Sequence, residues 1–374
     1  MEQRTFQTGF NLKRLVVKLG TGILTSGIGQ IDTGVIENIC QQIHRLRERG
    51  IAVIVVSSGA VGLGMGRLKL TKRPSDISTL QACASVGQSM LIETWQRAFD
   101  PWDIRVAQIL LTRDDLSVRK RHVGVMQTIE RLLSAGIIPV INENDSISID
   151  ELKFGDNDIL SSLVSSLTKA DLLVLLSTIP GLMNLETNEI IRTVESIDED
   201  IMGLAQGTRS PTAVGGMISK LNAVHIATGS NCGVFIADGK KQDILLKLVD
   251  GEMEGTYFVP QSVELSSQKR WLSYFPKPSG NLVIDAGAER ALIKDGSSLL
   301  AKGLLSVDGD FQTGDVVDIL NPAQEIVARG ITQYSAAELK NLFGMTSKQI
   351  RSVYPERKHT EVIHRNSLAI VQTQ

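Results

Sequence analysis

Cysteine is scarce in this sequence. Cys40, Cys83 and Cys232 are the only three in 374 residues, far apart and without a Cys-x-x-Cys pair. That excludes a disulfide framework and argues against structural zinc. The five histidines, His44, His122, His225, His359 and His364, also lack metal-ligand spacing and read as ordinary core or surface side chains. Net charge is nearly absent, with 39 basic and 41 acidic residues. This balance argues against adhesion of the whole chain to nucleic acid, though it allows a local basic patch. No run reaches the ~18 apolar residues of a membrane-crossing helix. The stretch Met1–Lys13, with Glu2, Gln3, Arg4 and Asn11, lacks the apolar core of a signal peptide. A cytoplasmic, reduced protein with no membrane partner is expected. Internal repeats, low-complexity tracts, a Walker A sequence and a catalytic histidine or cysteine motif are missing as well.

The sequence does have ample material for a core, since 42% of its residues are hydrophobic. Its length suits two or three domains. Short apolar runs alternate with longer amphipathic ones. Leu15-Val16-Val17, Ile51 to Val56, Val106 to Leu111, Ile137 to Ile141, Leu172 to Leu176 and Val234 to Ala237 have the length and apolarity of strands covered on both faces, as in a parallel sheet. Between the first two, Val35, Ile36, Ile39, Ile43 and Leu46 recur at helical spacing, and Gly50 is a fitting C-terminal stop. Strand, helix, strand is the right-handed crossover unit of an α/β domain, whose functional groups gather at the carboxyl ends of its strands. Near residue 260 the pattern changes. Pro260, Pro276, Pro278 and Gly280 punctuate a polar stretch. Beyond it, shorter strands and closer glycine turns suggest a compact β-rich domain of roughly 80 to 95 residues. The expected division is residues 1–258, a linker at 259–279, and a C-terminal domain at 280–374.

Four segments carry chemistry. Val17-Lys18-Leu19-Gly20-Thr21-Gly22 ends a strand with a lysine beside two glycines. Such a lysine can reach a phosphate that the backbone approaches closely, although a strand-end lysine taken alone reads as solvated. Ser57 to Gly66 leaves a strand and opens a helix. Its free N–H groups and Ser58 could hold an anion, or its glycines could serve tight packing. Gly62, Gly64 and Gly66 do not have dinucleotide-fingerprint spacing. Asn142-Glu143-Asn144-Asp145 and Gly155-Asp156-Asn157-Asp158 place acids and amides after a buried strand. That is costly unless they bind something or face water. Gly215-Gly216-Met217-Ile218-Ser219-Lys220 sets glycines before a helix with a lysine in its first turn, which suits a polyphosphate.

In this order the motifs VKLGTG, SSGAVGLG, ILLTRDD, PVINENDS, FGDNDILSS and GGMISK resemble the amino-acid kinase family and, within it, the glutamate 5-kinases, from about Leu15 to Arg365. Asp285 to Ala288, Gly296 to Leu300 and Gly309 to Asp315 are similar to a PUA domain. The resemblance implies an α/β amino-acid kinase fold, with a parallel-rich sheet between helices, plus a small β-rich PUA-like domain. It also implies transfer of the ATP γ-phosphate to the side-chain carboxylate of L-glutamate, the first step of proline biosynthesis. Lys18 and Lys220 would contact phosphates, and Asp158 would hold both lysines. Ser58, Asp145 and Asn157 would bind glutamate. Ser177, Thr178, Val214, Gly215, Gly216, Met217, Ile218, Ser219 and Lys220 would lie along ATP. Mg²⁺ is implied, without its ligands. So are proline as feedback inhibitor, a glutamyl-phosphate reductase as functional partner, and a homo-oligomer, dimer or tetramer.

The nucleotide segments depart from the family pattern. Ser177-Thr178-Ile179-Pro180-Gly181-Leu182-Met183 stands where Thr-Asp and Gly-Leu-Tyr are usual. Val214 and Ile218 replace hydroxyl residues. Each lost hydrogen bond is expected to cost on the order of 1 kcal/mol, giving weaker ATP binding or a different nucleotide preference. Two competing readings are an acetylglutamate or aspartate kinase of the same superfamily, and an RNA-binding protein. For RNA, Lys269, Arg270, Arg357, Lys358 and Arg365 could line a groove. Asp308, Asp310, Asp315 and Asp318 crowd the same domain and make RNA the weaker reading.

Overall fold

A computed structural model describes residues 12–148, 156–206, 216–261, 266–357 and 360–371. The chain divides into two compact units, residues 1–264 and 265–374.

The first unit is built on an eight-stranded sheet. Its strands are β1 (Arg14–Leu19), β2 (Ala52–Ser57), β3 (Val106–Leu111), β4 (Ile138–Glu143), β5 (Leu172–Ser177), β6 (Thr193–Val194), β7 (Gly233–Asp238) and β8 (Thr256–Phe258). Their spatial order is β3-β4-β2-β1-β5-β7-β8-β6. From β3 to β7 every neighbouring pair is parallel, and β8 runs antiparallel to β7. β1, β2, β4, β5 and β7 are almost wholly buried runs rich in Val, Ile and Leu, as strands covered on both faces require, whereas β3, expected to be covered in the same way, lies at the sheet edge and buries only Leu111. β1 lies in the middle, with Lys18 in register with Val56 on one side and Leu175 on the other. Strand order reverses between β1 and β5, so the crevice at their carboxyl ends is the natural ligand position.

Helices α1 (Thr33–Glu48), α2 (Ala60–Arg67), α3 (Ile77–Phe99), α4 (Arg119–Ser134), α5 (Asn157–Thr168) and α6 (Met217–Thr228) accompany the sheet. α1 starts where the Asp32 carboxylate accepts the Val35 N–H at 3.2 Å, and it buries Ile36, Ile39, Cys40, Ile43 and Leu46. Gly50, at φ +81°, follows its end. That left-handed conformation favours glycine. α2 and α3 meet backbone to backbone. A Cβ on Gly64 would sit 1.8 Å from the Cys83 carbonyl oxygen, and one on Gly87 would sit 1.8 Å from that of Ala60. The glycines after Ser58 therefore serve two purposes. Gly59, at φ +106°, turns the chain out of β2, whereas Gly64 packs helices. All three cysteines are buried and free.

The second unit contains helix α7 (Ser267–Tyr274) and strands β9 (Gly280–Ile284), β10 (Leu304–Gly309), β11 (Val316–Leu320), β12 (Ile326–Ile331) and β13 (Leu368–Ile370) in the order β10-β9-β11-β12-β13. Leu282, Ile284, Phe311, Val317, Ile319, Tyr334 and Leu339 form its core. The stretch expected as a linker contains α7, which packs against β12 and β13 and has Trp271 and Leu272 buried.

Candidate active site

Lys18 is the anomaly of the central strand. It lies among Leu15, Val16, Val17 and Leu19, all fully buried, and is itself only 4% exposed. The solvated reading of a strand-end lysine is thus overturned, because β1 is flanked by strands on both sides and covered by helices. A buried ammonium needs a counter-charge, and Lys18 has one. Its Nζ is 2.6 Å from Asp158 Oδ1. Lys220 Nζ donates to the other oxygen, Asp158 Oδ2, at 2.7 Å. One fully buried carboxylate thus bridges two lysines that are 202 residues apart in sequence (220 − 18). Burial works against the Asp158 charge, but Lys18 and Lys220 outweigh it and hold its carboxyl below the ordinary range.

Asp156 completes the charged group. Its carboxylate caps α5 by accepting the Asp158 N–H at 3.1 Å, and its Oδ2 accepts the Ser219 hydroxyl at 3.0 Å. Lys18 Nζ lies 4.0 Å from its Oδ1. Burial first, and the Asp158 charge second, push Asp156 above the usual carboxylate range against the pull of Lys18. Two ammoniums and two carboxylates therefore meet where β1, α5 and α6 converge.

Beside this group runs a chain of neutral polar side chains. Asn157 Nδ2 contacts Ser58 Oγ at 2.8 Å and Asn142 Oδ1 at 2.9 Å. Asn142 donates to Gln88 Oε1 at 2.9 Å, and Gln88 donates to Gln108 Oε1 at 3.1 Å. The Asn157 side-chain carbonyl oxygen is buried and has no hydrogen-bond partner among the described residues. An unsatisfied buried acceptor is costly, and it gives a donor such as an ammonium a place to bind. Ser57, next to Ser58, is spent structurally: its hydroxyl accepts the Trp95 indole N–H at 3.0 Å. Asp145 is half-buried in the turn after β4, which the Asn144 N–H ties to the Leu111 carbonyl at 2.9 Å.

Among the described residues, three helical turns begin here at glycines without a side-chain cap: Gly20 before Thr21–Leu24, Gly59 before α2, and Gly216 before α6. By contrast, α1 and α3 are capped by Asp32 and Asp76. Uncapped N-termini keep N–H groups free for an anion. Ser177 closes β5, where its hydroxyl accepts the Ile179 N–H at 3.1 Å. Thr178 is exposed beside the first glycine turn, its methyl 3.1 Å from where a Gly22 Cβ would lie. Met217 is buried, while Ile218 is 44% exposed. Val214 and Gly215 fall outside the described residues.

The sequence-derived residues thus gather into two touching sets, Lys18, Asp158 and Lys220 in one, Ser58 and Asn157 in the other. The sequence placed Asp156 in a chemistry-bearing run without assigning it a role and gave no sign of Gln88. An aspartate just before a helix is a capping signal. Gln88, 7% exposed, falls on the same helical stripe as Ala84, Leu91 and Trp95, where a polar residue is out of place.

The model of the amino acid kinase family matches residues 13–238. The chain belongs to the amino acid kinase family. A PUA domain model matches residues 280–354. Similar proteins include the glutamate 5-kinases of Caldanaerobacter subterraneus subsp. tengcongensis, 38% identical over 96% of this chain and 98% of that one, and of Syntrophotalea carbinolica, 41% identical over 96% and 97%. The glutamate 5-kinase of Geobacter sp. strain M21 is 40% identical over 96% and 98%. As a member of this family the chain is an ATP-dependent kinase. Among the described residues no helix is long and apolar enough to cross a membrane.

Proposed function

We propose that this chain transfers the γ-phosphoryl group of ATP to the γ-carboxylate of L-glutamate, giving L-glutamyl 5-phosphate and ADP. The observation that carries this reading is the Asp158 carboxylate held between Lys18 and Lys220 at 2.6 and 2.7 Å, one residue from the buried amide oxygen of Asn157, which no described residue satisfies. The pairing matches the reaction's two needs, cationic contacts for a phosphoryl group and a polar pocket for an amino acid. Nearly full-length similarity to glutamate 5-kinases supports the choice of substrate over acetylglutamate or aspartate.

The chemistry requires no general base, because a γ-carboxylate is already ionised at neutral pH. A carboxylate oxygen attacks the γ-phosphorus, the bond to the β–γ bridging oxygen breaks, and ADP leaves with its electron pair. The difficulty is bringing one anion against another and stabilising charge on the equatorial oxygens. Lys18 and Lys220 carry that burden, and Asp158 keeps both ammoniums aimed while the site is empty of phosphate. Ser58, Asp145 and Asn157 bind glutamate, with the Asn157 carbonyl oxygen accepting from its α-ammonium. Ser177, Thr178 and the stretch Val214 to Lys220 run along the nucleotide. The exposed Ile218 and Thr178 offer fewer polar contacts there, which predicts weaker ATP binding.

Mg²⁺ fits this donor set as a cation carried by the nucleotide. Among the described residues no three His, Cys, Asp or Glu side chains gather as a metal cage. A magnesium ion that keeps its waters and phosphate oxygens needs only one or two protein carboxylates. With Asp158 held by both lysines, Asp156, 4.0 Å from Lys18, is the carboxylate that would hold the ion. When bound, the ion would neutralise phosphate charge.

The product is an acyl phosphate that cyclises and hydrolyses readily. A glutamyl-phosphate reductase is therefore the expected partner in a cytoplasmic route to proline. Proline shares the α-amino and α-carboxylate groups of glutamate and would act as a feedback inhibitor at the same pocket of a homo-oligomer. A hydroxylamine trap with Mg-ATP tests the reading against glutamate, acetylglutamate and aspartate. Hydroxamate from glutamate alone is the expected result. Product from another acid in preference, or from none, overturns it.

A further inference from the structure

Asp158 neutralises the two lysines, but it does not fix where α6 begins. A lysine ammonium on its flexible four-carbon stem can follow Asp158 from many backbone positions. The rigid tie between α5 and α6 lies two residues before Asp158 and one before Lys220, in the short side chains of Asp156 and Ser219. Asp156 Oδ1 accepts the Asp158 N–H at 3.1 Å, and Oδ2 accepts the Ser219 hydroxyl at 3.0 Å across 63 residues of sequence. Oδ1 also stands 4.0 Å from Lys18 Nζ. One carboxylate therefore touches the first turn of α5, the first turn of α6 and the lysine of β1.

We infer that Asp156 is a positioning residue which, through the Ser219 hydroxyl, sets where Lys220 stands relative to Lys18. The inference rests on the proposed kinase reaction. It also changes the part played by Ser219. A hydroxyl has one proton to donate, and here Asp156 receives it. The Ser219 side chain is thus engaged in aligning α6, while its backbone remains beside the nucleotide. Phosphoryl transfer is sensitive to such alignment, since displacement of a reacting or stabilising group by about 1 Å can cost on the order of a hundredfold in rate.

The test is a double-mutant cycle on the full chain, read by hydroxamate formation and by urea unfolding. Asp156→Ser keeps a good helix cap but is too short to reach Ser219. Ser219→Ala removes the donor, and Ser219→Thr keeps it. Ser219→Ala is expected to lower kcat about tenfold with glutamate KM within about twofold and an unchanged unfolding midpoint. Ser219→Thr should restore kcat to within about threefold. In the Asp156→Ser background, Ser219→Ala should cost almost nothing further. Equal losses in both backgrounds, or a rise in ATP KM with kcat intact, would overturn the inference and make Ser219 a direct nucleotide contact. A wild type that forms no hydroxamate from glutamate overturns the proposed reaction instead, which separates the two failures.

Discussion

Each unit of this chain buries charge, and the two do so differently. In the C-terminal unit Asp318, 5% exposed, meets the Arg329 guanidinium twice, at 2.6 and 3.2 Å. The remaining Arg329 nitrogen donates to the Pro276 carbonyl at 3.2 Å and the Ser273 carbonyl at 3.4 Å. That arrangement is closed: one anion, one cation, with the spare donor used to tie the segment after α7 to the sheet. In the kinase unit one carboxylate serves two lysines, a second carboxylate is pushed toward its neutral form, and a neighbouring amide oxygen has no partner among the described residues. That arrangement is open. Buried charge that is fully matched holds a structure together, whereas buried charge with unspent valences marks a place for a ligand.

Breaking each centre sharpens the contrast. Asp158→Asn should lower hydroxamate turnover by about a thousandfold, because both phosphate-facing lysines lose their shared anchor. It should also lower the urea midpoint, since two buried ammoniums face each other with less compensation. Arg329→Ala should do the reverse. It strands Asp318 and should destabilise the C-terminal unit by roughly 3 kcal/mol in urea unfolding, with turnover per folded molecule unchanged. A loss of turnover matching that of Asp158→Asn would erase the distinction. Gly64→Ala sits between the two. Its Cβ would strike the Cys83 carbonyl oxygen, forcing α2 off α3 at a cost of about 2 kcal/mol and raising glutamate KM several-fold through the displaced Ser58.

The smallest expected effect concerns pH. Burial, then the nearby Arg119 charge, lower the His122 pKa from 6.5 to about 4, against the Leu116 carbonyl. The unfolded chain therefore binds more protons than the folded one between those values. This contribution to stability is present above pH 6.5 and is lost as pH falls toward 4. His122→Gln should flatten that part of the urea-midpoint profile while leaving turnover at pH 7.5 within about twofold. An unchanged slope would show that other groups carry the acid sensitivity.

These outcomes bear on how far the sequence could be read. β1 to β5 and β7 were legible because each is a short apolar run bounded by glycine or polar turns, whereas β6 and β8, two and three residues long, leave no such run. Asn157 and Asp158 stood out because acids and amides after a buried strand demand an explanation. The burial of Lys18 was not legible. It depends on β1 pairing with both β2 and β5, and β5 begins more than 150 residues later. The link from Gln88 to Asn142 spans 54 residues and leaves no local pattern. α7 was hidden for a different reason: three prolines at 260, 276 and 278 dominate a stretch whose eight-residue helix is held by packing of Trp271 and Leu272 rather than by its propensity.

Chemistry and folding are separated most directly at the two lysines. Lys18→Ala and Lys220→Ala should be compared with the wild type in hydroxamate turnover, glutamate binding by calorimetry, and urea midpoint. The predicted result for Lys220→Ala is turnover reduced at least about a hundredfold with glutamate still bound through Ser58 and Asn157, and with the chain still folded. For Lys18→Ala the same loss is predicted, with a larger fall in midpoint because Lys18 is the more buried partner. Turnover within about threefold of wild type in either variant would contradict the assignment of these lysines to the transferring phosphoryl group.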